Sequence, residues 1–539
     1  MSKAGDSVVI EPRRLAWLGA YALLTFASFP HPIGGSVLDL GWLLAWGAPA
    51  CLVLGLEGLT PRRAAWLGLA AGTVAHWAVV HWIYVVTVRY GHAHPVVGVI
   101  APLGLALYVA VHTALFAWVW ALLRQAAREG APGGAWLGSP LVAAALWTAC
   151  DHLRSFSFTG FPWATLGYAQ HSNPTLVALA PITGVYGLCF VTALGGVAAA
   201  FALRERRRLP SAPVRAALAT LLVLFLAGSV LRFTAPPDPA DTVRVAVLQG
   251  NIDQGVKWSR DWYERTLEIY AELTREAARQ GAEIVVWPET AVPGAIGASG
   301  DHGQQLAQLA RESGVDLVVG AVGLEQAPSG PPRIYDSAFL FDVEGVLRAR
   351  YDKSHLVPFG EYIPFQELLG HFLRAVARGM AATGVTAGEG PRAVVIETPG
   401  GATLSAGLVI CYELLFPDLV RRFVDDGAEI LFAITNDAWY GRTGAPYQFL
   451  AITALRGAEN RVWTARAANT GVSAIIDAQG RVRARTRIFE RDLIVADIPL
   501  RPAPAGGSFY ARHGNLFAGA CWGLVAVSVL AALRGGKRE

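Results

Sequence analysis

Cysteine is scarce in this chain: five residues in 539, Cys51, Cys150, Cys189, Cys411 and Cys521. The count is odd and no two stand in a CxxC pair, so neither a disulfide framework nor a zinc site is supported. Charge is thin as well. Asp, Glu, Lys and Arg make up 16% of the residues and the formal net charge is +4. No long basic stripe is interleaved with aromatics, which argues against a nucleic-acid partner. Neither a P-loop nor a GxGxxG strand-turn-helix context occurs, so no nucleotide or metal cofactor is implied. Four of the five cysteines lie in apolar runs; only Cys411 sits in a soluble-looking context.

Apolar sequence fills the space. The hydrophobic fraction is 53%, with 17 tryptophans, and the mean hydropathy is +0.38. These values lie on the membrane side of soluble averages. Apolar stretches near 15–29, 37–56, 64–86, 97–123, 136–153, 176–203, 215–233 and 515–533 have about the 20-residue length that crosses a bilayer, which predicts about eight spans. The first is not a cleavable signal, because Pro30-His31-Pro32 follows it without a small-residue cleavage pattern. Basic residues then set an orientation. Segments on one side carry three (Lys3, Arg13, Arg14), two (Arg62, Arg63), two (Arg124, Arg128), five (Arg204, Arg206, Arg207, Arg208, Arg215) and three (Arg534, Lys537, Arg538). The alternate short loops carry only Arg89 and Arg154. The positive-inside rule therefore places both termini in the cytoplasm and the long stretch between the seventh and eighth spans outside it. Three units follow: a membrane domain at 1–235, an outer domain at 240–505, and a final span with a basic tail at 510–539.

The outer region changes texture. Strand patterns at Val243–Gln249, Glu283–Trp287, Asp316–Val322, Ala393–Glu397, Leu404–Ile410, Ile430–Ile434 and Ser473–Asp477 alternate with helical patterns at Asp261–Gln280, 301–313, 417–426 and 446–460. A hairpin is predicted from Ser337–Asp342 and Val346–Asp352 across Glu344-Gly345. This alternation predicts a layered α/β domain. Residues 376–391 read as a long loop.

Three polar residues each close an apolar strand. Cys411 ends Leu408-Val409-Ile410, Glu289 follows Ile284–Pro288, and Lys353 follows Arg350-Tyr351-Asp352. Strand ends are where α/β folds place their sites. A thiol opening a helix is favoured as thiolate, a carboxylate can take its proton, and an ammonium can hold an oxyanion. Taken singly, each also has a plain alternative: a buried small hydrophobe, a turn cap and a solvated surface charge.

Trp287-Pro288-Glu289, Tyr351-Asp352-Lys353 and Cys411-Tyr412-Glu413, in this order, resemble the Glu-Lys-Cys triad of the nitrilase (carbon–nitrogen hydrolase) superfamily. Over roughly 15–530 the chain is similar to the apolipoprotein N-acyltransferase family. Further motifs carry the likeness: Thr159-Gly160-Phe161-Pro162-Trp163 with Gly167-Tyr168, Pro358-Phe359-Gly360-Glu361-Tyr362-Ile363-Pro364, Asn436-Asp437-Ala438-Trp439-Tyr440-Gly441 and Ala468-Asn469-Thr470-Gly471. Two positions depart from it: Asp336 stands where asparagine is expected, and Phe449 where histidine is common.

The resemblance implies an αββα sandwich outside a polytopic helical membrane domain. It makes Cys411 the nucleophile, Glu289 the general base and acid, and Lys353 the oxyanion stabiliser, with the Tyr412 N–H as a second donor. Glu361 and Glu413 are expected to orient Lys353 and tune the thiol. Trp258, Arg154, Trp163 and Trp439 are candidate lipid contacts, with Arg154 reaching a phosphate at the outer mouth.

The implied reaction takes an acyl chain from a membrane phospholipid onto Cys411. It then passes the chain to the α-amino group of a diacylglyceryl-modified N-terminal cysteine on an apolipoprotein. No cofactor is needed, and the enzyme is expected to be a monomer in a bacterial inner membrane. Two rivals remain: a membrane-tethered amidase or hydrolase with the same triad, and a non-catalytic scaffold. The intact triad argues against the scaffold, and Thr159–Trp163 argues against the hydrolase.

Overall fold

The computed structural model describes residues 11–205, 209–234, 238–255, 257, 259–296, 301–327, 331–364, 384–500 and 507–535. Among these, four helices are long and apolar enough to cross a membrane: Pro95–Arg128, Ala180–Glu205, Ala212–Phe233 and Leu516–Gly535. Their outer faces carry exposed Leu and Val residues such as Val99, Leu107, Leu222, Leu226, Val527 and Leu530. Such faces need lipid rather than water.

The other four expected spans are modified. The first is the 16-residue helix Pro12–Ala27. The second is broken: a hairpin of β1 (His31–Ile33) and β2 (Ser36–Leu38) precedes short helices at Gly41–Leu44 and Gly47–Gly55. The third helix, Pro61–Val79, stops before a π-helical turn at Val85–Tyr90. The fifth divides at Gly138-Ser139, where Ser139 caps a new helix, Pro140–Arg154, through the Val142 N–H. Proline at a first helical turn sets such starts because it has no N–H to satisfy.

The outer domain is two packed sheets. One runs β15 (Asp492–Pro499), β3 (Thr242–Gln249), β4 (Ile284–Val286), β6 (Asp316–Glu325), β7 (Arg333–Phe341), β8 (Leu347–Asp352), with β5 (Val292–Ile296) paired to β6. The other runs β14 (Val482–Arg485), β13 (Ala474–Ile476), β12 (Trp463–Ala468), β11 (Ile430–Thr435), β10 (Thr403–Ile410), β9 (Ala393–Glu397). The predicted hairpin is β7–β8, antiparallel. The part of the 376–391 segment from 384 on has no helix or strand, and 376–383 lies outside the described residues. β5, β14 and β15, and β12 as a strand of its own, are additions to the sequence expectation; β14 and β15 are half-exposed and lack a continuous apolar run.

Period-two alternation builds the layers. On β3, Val243, Val245 and Val247 join the cluster between the sheets. Ala246 and Leu248 face helices Arg260–Arg279 and Asp301–Ser313, meeting Ile269, Tyr270, Leu306 and Leu309. The second sheet's helices, Pro417–Asp425 and Ala445–Asn460, share one buried cluster with membrane-domain residues such as Leu146 and Val185. The two halves therefore share continuous apolar packing at their junction.

That junction also holds a buried ion pair. Arg456 Nη1 lies 3.0 Å from Glu459 Oε2, both side chains fully buried. Glu459 Oε1 accepts the Val185 N–H at 2.7 Å, beside the kink at Gly184 in the helix Ala180–Glu205. Removing one partner leaves a buried charge unpaired, at a cost of about 3–5 kcal/mol. Glu459→Ala should therefore lower the detergent-solubilised melting temperature sharply. The double change Arg456→Met with Glu459→Leu should recover part of the loss, measured by the same thermal scan.

Candidate active site

β10 delivers its last residue, Ile410, to a sharp reversal. Cys411 has φ +47° and opens a short 3-10 turn, Cys411–Leu415. The α-helix expected at the cysteine begins only at Pro417. A non-glycine residue at positive φ is strained and persists only where its surroundings hold it. Here Glu413 holds it, because its Oε2 accepts the Ile410 N–H at 3.0 Å. Burial first, and then the neighbouring Glu289 charge, push the Cys411 thiol well above its ordinary pKa. The same burial and the same neighbour favour the neutral thiol, with the Glu289 carboxylate beside it.

Glu289 follows β4, and the backbone there is tight: Thr290 has φ +46°. Gly320 on β6 makes room, since a Cβ on it would lie 2.3 Å from the Pro288 carbonyl oxygen and 2.7 Å from Glu289 Cα. Glu289 Oε2 accepts the Asn436 N–H at 2.7 Å, from the end of β11. Burial pushes this carboxyl up; the Lys353 ammonium and hydrogen bonds from Asp336 and Cys411 outweigh it, and the net direction is down.

Lys353, at the end of β8, is 1% exposed and central. Its Nζ donates to Glu361 Oε1 at 2.5 Å and to Glu289 Oε1 and Asp336 Oδ2 at 3.2 Å each. Burial opposes its charge, but Glu361, Glu289 and Asp336 win and hold its pKa well above the ordinary value. The oxygens of these three carboxylates lie within 4.8 Å of one another, a spacing that could hold a metal ion. The ammonium is what they converge on here.

Glu413 does not reach Lys353 Nζ. Its Oε1 accepts from Tyr351 Oη at 2.7 Å and from the Ser354 N–H and Oγ at 2.8 Å each. It acts on the backbone at both ends, tying the segment after Lys353 to the turn that carries Cys411. Glu361 contacts the ammonium directly and accepts the Val357 N–H at 2.7 Å.

The membrane-side candidates divide. Trp163 is buried among Trp82, Phe161 and Phe449 and donates to Gln448 Oε1 at 2.7 Å. Trp439 is half-buried and meets Tyr90 edge-on. Trp258 lies outside the described residues. Arg154 is not at an open mouth: it is 2% exposed, 3.1 Å from Asp151 Oδ1, and donates to Thr165 Oγ1 at 3.0 Å. An internal carboxylate takes the place of the expected lipid phosphate. Phe449 fills apolar space beneath the Arg466 guanidinium, 4.5 Å from its ring centre.

Sequence reasoning passed over several residues that build the site. Lys257 is buried, with Nζ 2.7 Å from Thr290 Oγ1, and burial brings its pKa to about 8. Asn469 Nδ2 donates to Asn436 Oδ1 at 3.1 Å, and Asp437 pairs with Arg466 at 2.8 Å. Asn436, Asp437 and Asn469 lie inside the motifs quoted above, which was the available signal. Gly320 had none.

The nucleophile turn is also fastened to the membrane half. Tyr412 Oη donates to the Gly160 carbonyl at 3.2 Å, His355 Nε2 lies 3.1 Å from the Thr159 carbonyl, and Tyr168 Oη donates to the Leu415 carbonyl at 3.2 Å. His355 is pushed down to about 4 by burial, so at neutral pH it is uncharged.

Comparison with known proteins follows the same division. Residues 244–503 match the carbon-nitrogen hydrolase family, and residues 21–198 match the apolipoprotein N-acyltransferase N-terminal domain. An apolipoprotein N-acyltransferase of Geobacter metallireducens is 37% identical over 518 residues, 95% of this chain and 93% of that protein. One from Azotobacter vinelandii is 34% identical over 489 residues, 90% and 89% of the two chains. Among solved structures, an amidase from Nesterenkonia sp. is 19% identical, aligning with 54% of this chain and all of its own, at a TM-score of 0.36. With near full-length coverage in the curated relatives, this chain belongs to the apolipoprotein N-acyltransferase family and is an acyl-transferring enzyme.

Proposed function

We propose that Cys411 carries an acyl chain from a membrane phospholipid to the α-amino group of a diacylglyceryl-modified N-terminal cysteine on an apolipoprotein. One observation carries the reading. The segments that carry Cys411 and Lys353 are hydrogen-bonded, through Tyr412 and His355, to the loop at Thr159 and Gly160 in the half that carries the long apolar helices, which supports an acyl donor drawn from lipid.

In the first half, Glu289 takes the thiol proton as Cys411 Sγ attacks the ester carbonyl. The oxyanion forms beside the Lys353 ammonium and the Tyr412 N–H. It collapses to a thioester, and the proton on Glu289 leaves with the lysophospholipid hydroxyl. In the second half, the substrate amine attacks the thioester, Glu289 takes the amine proton, and Cys411 departs and is reprotonated. A thiolate suits both halves, as nucleophile and as leaving group. Placing 240–505 outside the cytoplasm of a bacterial inner membrane, with both termini inside and one chain sufficing, completes the reading. The charge asymmetry of the flanking segments supports the orientation.

Cys411→Ala should abolish a hydroxylamine-labile acyl adduct in intact-mass analysis after incubation with phospholipid, with little loss of thermal stability. An acylated Cys411→Ala protein overturns the mechanism, and fatty acid released in place of an adduct favours the hydrolase.

Gly160 has φ +79° and no room for a Cβ, which would lie 2.2 Å from the Ser155 carbonyl oxygen. Gly160→Val should slow thioester formation about tenfold or more, because small misplacement of a positioned reactant is expensive. Iodoacetamide should still alkylate its Cys411.

For topology, all five native cysteines are buried and Gln304 is exposed. Gln304→Cys should therefore react with a membrane-impermeant maleimide in intact spheroplasts. Labelling only after lysis would reverse the orientation.

A further inference from the structure

Three carboxyl groups, Glu289, Asp336 and Glu361, meet in one buried site with two ammonium groups nearby, Lys353 and Lys257. Full ionisation leaves one negative charge uncompensated away from water, which buried sites avoid by holding a proton. Among the described residues, the hydrogen bonds leave one oxygen of these three carboxyls without a donor. Glu289 accepts from Lys353 on one oxygen and from the Asn436 N–H on the other. Glu361 accepts from Lys353 and from the Val357 N–H. Asp336 accepts from Lys353 through Oδ2, while Oδ1 meets no donor among the described residues. The Asp336 and Glu289 carboxyls also sit side by side on Lys353 Nζ, with oxygens within 4.8 Å of each other; a proton shared between two such carboxyls turns their repulsion into an attraction.

We propose that Asp336 is a positioning residue that stays protonated and donates its O–H to Glu289, keeping that carboxylate ionised as the base for Cys411. The proposal rests on Glu289 acting as that base. Backbone geometry supports it: Asp336 lies on β7, and its carbonyl accepts the Lys353 N–H at 2.9 Å, so its side chain and the lysine share one strand edge. The charged groups facing it are Lys353, Glu289 and Glu361. Lys257 lies just beyond on the segment before helix Arg260–Arg279, and Cys411 and Asp437 lie across Glu289 from the second sheet. Burial, opposed by Lys353 and reinforced by Glu289 and Glu361, raises the Asp336 pKa well above the ordinary range. A neutral carboxylic acid here does what a side-chain amide would do, offering one hydrogen and no charge.

The sign of a pH shift separates this from an ordinary ionised Asp336. A hydrogen bond to the charged form lowers a carboxylate's pKa, and a like charge raises it. If Asp336 is the donor, Asp336→Ala removes that donor and moves the acid limb of Cys411 reactivity to higher pH, by about one unit. Asp336→Asn, which still donates, leaves the limb where wild type has it. If Asp336 is ionised, both variants lose a like charge beside Glu289 and the limb moves to lower pH.

The experiment follows iodoacetamide alkylation of Cys411 against pH in wild type, D336N and D336A, alongside single-turnover thioester formation from phospholipid. Infrared difference spectra supply a further measure: wild type should show the C=O stretch of a protonated carboxylic acid that D336N lacks. An acid limb unmoved in D336N and raised in D336A supports the assignment, as does the infrared band. A limb lowered in either variant, unmoved in D336A, or a wild type without the band overturns it. D336N and the infrared band decide the matter even where D336A does not fold. Alkylation does not depend on the acyl donor, so failure of thioester formation in every protein would refute the phospholipid reading and leave this test intact.

Discussion

Everything in the outer domain converges on one buried ammonium. Lys353 Nζ is withdrawn from water and survives as a cation because the Glu289 and Glu361 carboxylates and the Asp336 carboxyl close around it. Isolated burial of that charge would be prohibitive. The ends of β4 and β8 must therefore meet β7 and the Val357–Tyr362 turn within hydrogen-bond distance. The two-sheet sandwich is the frame that brings them together. The same cation lowers Glu289, so one interaction serves both the stability and the charge state of the site.

The nucleophile obeys a second constraint. Cys411 is held at a strained φ by a carboxylate two residues on, and that carboxylate also ties down the segment leaving Lys353. Glu413 couples the positions of Cys411 and Lys353. The turn then extends its order into the membrane half through Tyr412 and Tyr168. Apolar continuity across the junction, fastened by Arg456, Glu459 and the Val185 N–H, fixes how the site stands against the helices. Catalytic geometry and membrane docking are thus features of one packing solution.

Much of this was legible beforehand for local reasons. Glu289 and Cys411 close strands whose apolar runs announce themselves within a few residues. Lys353 follows a charged strand, Leu347–Asp352, and joins them only through the motif resemblance. The strand–helix alternation follows from periodicity. The weaker readings concerned distant partners. Arg154 looked like an interfacial cation because nothing near it in the chain announces a buried site, although Asp151 stands three residues away. Trp163 looked like a lipid contact, yet its indole donates to Gln448, 285 positions on. The second and fifth apolar stretches have the length of spans, but glycine, proline and serine within them start new helices, and hydropathy does not register that.

The sequence by itself determined which segments are apolar, which strands alternate, and which thiol, carboxylate and ammonium end them, because these follow from neighbours within one turn or one pleat. Only the tertiary structure decided how those groups are charged and paired. Glu289 meets Lys353 across 64 positions and Asn436 across 147. Whether a carboxyl holds its proton depends on what surrounds it in space. Asp336 shows the difference: in sequence it is one more acidic residue after a tyrosine, and in the fold it is the carboxyl with an oxygen that no donor among the described residues reaches.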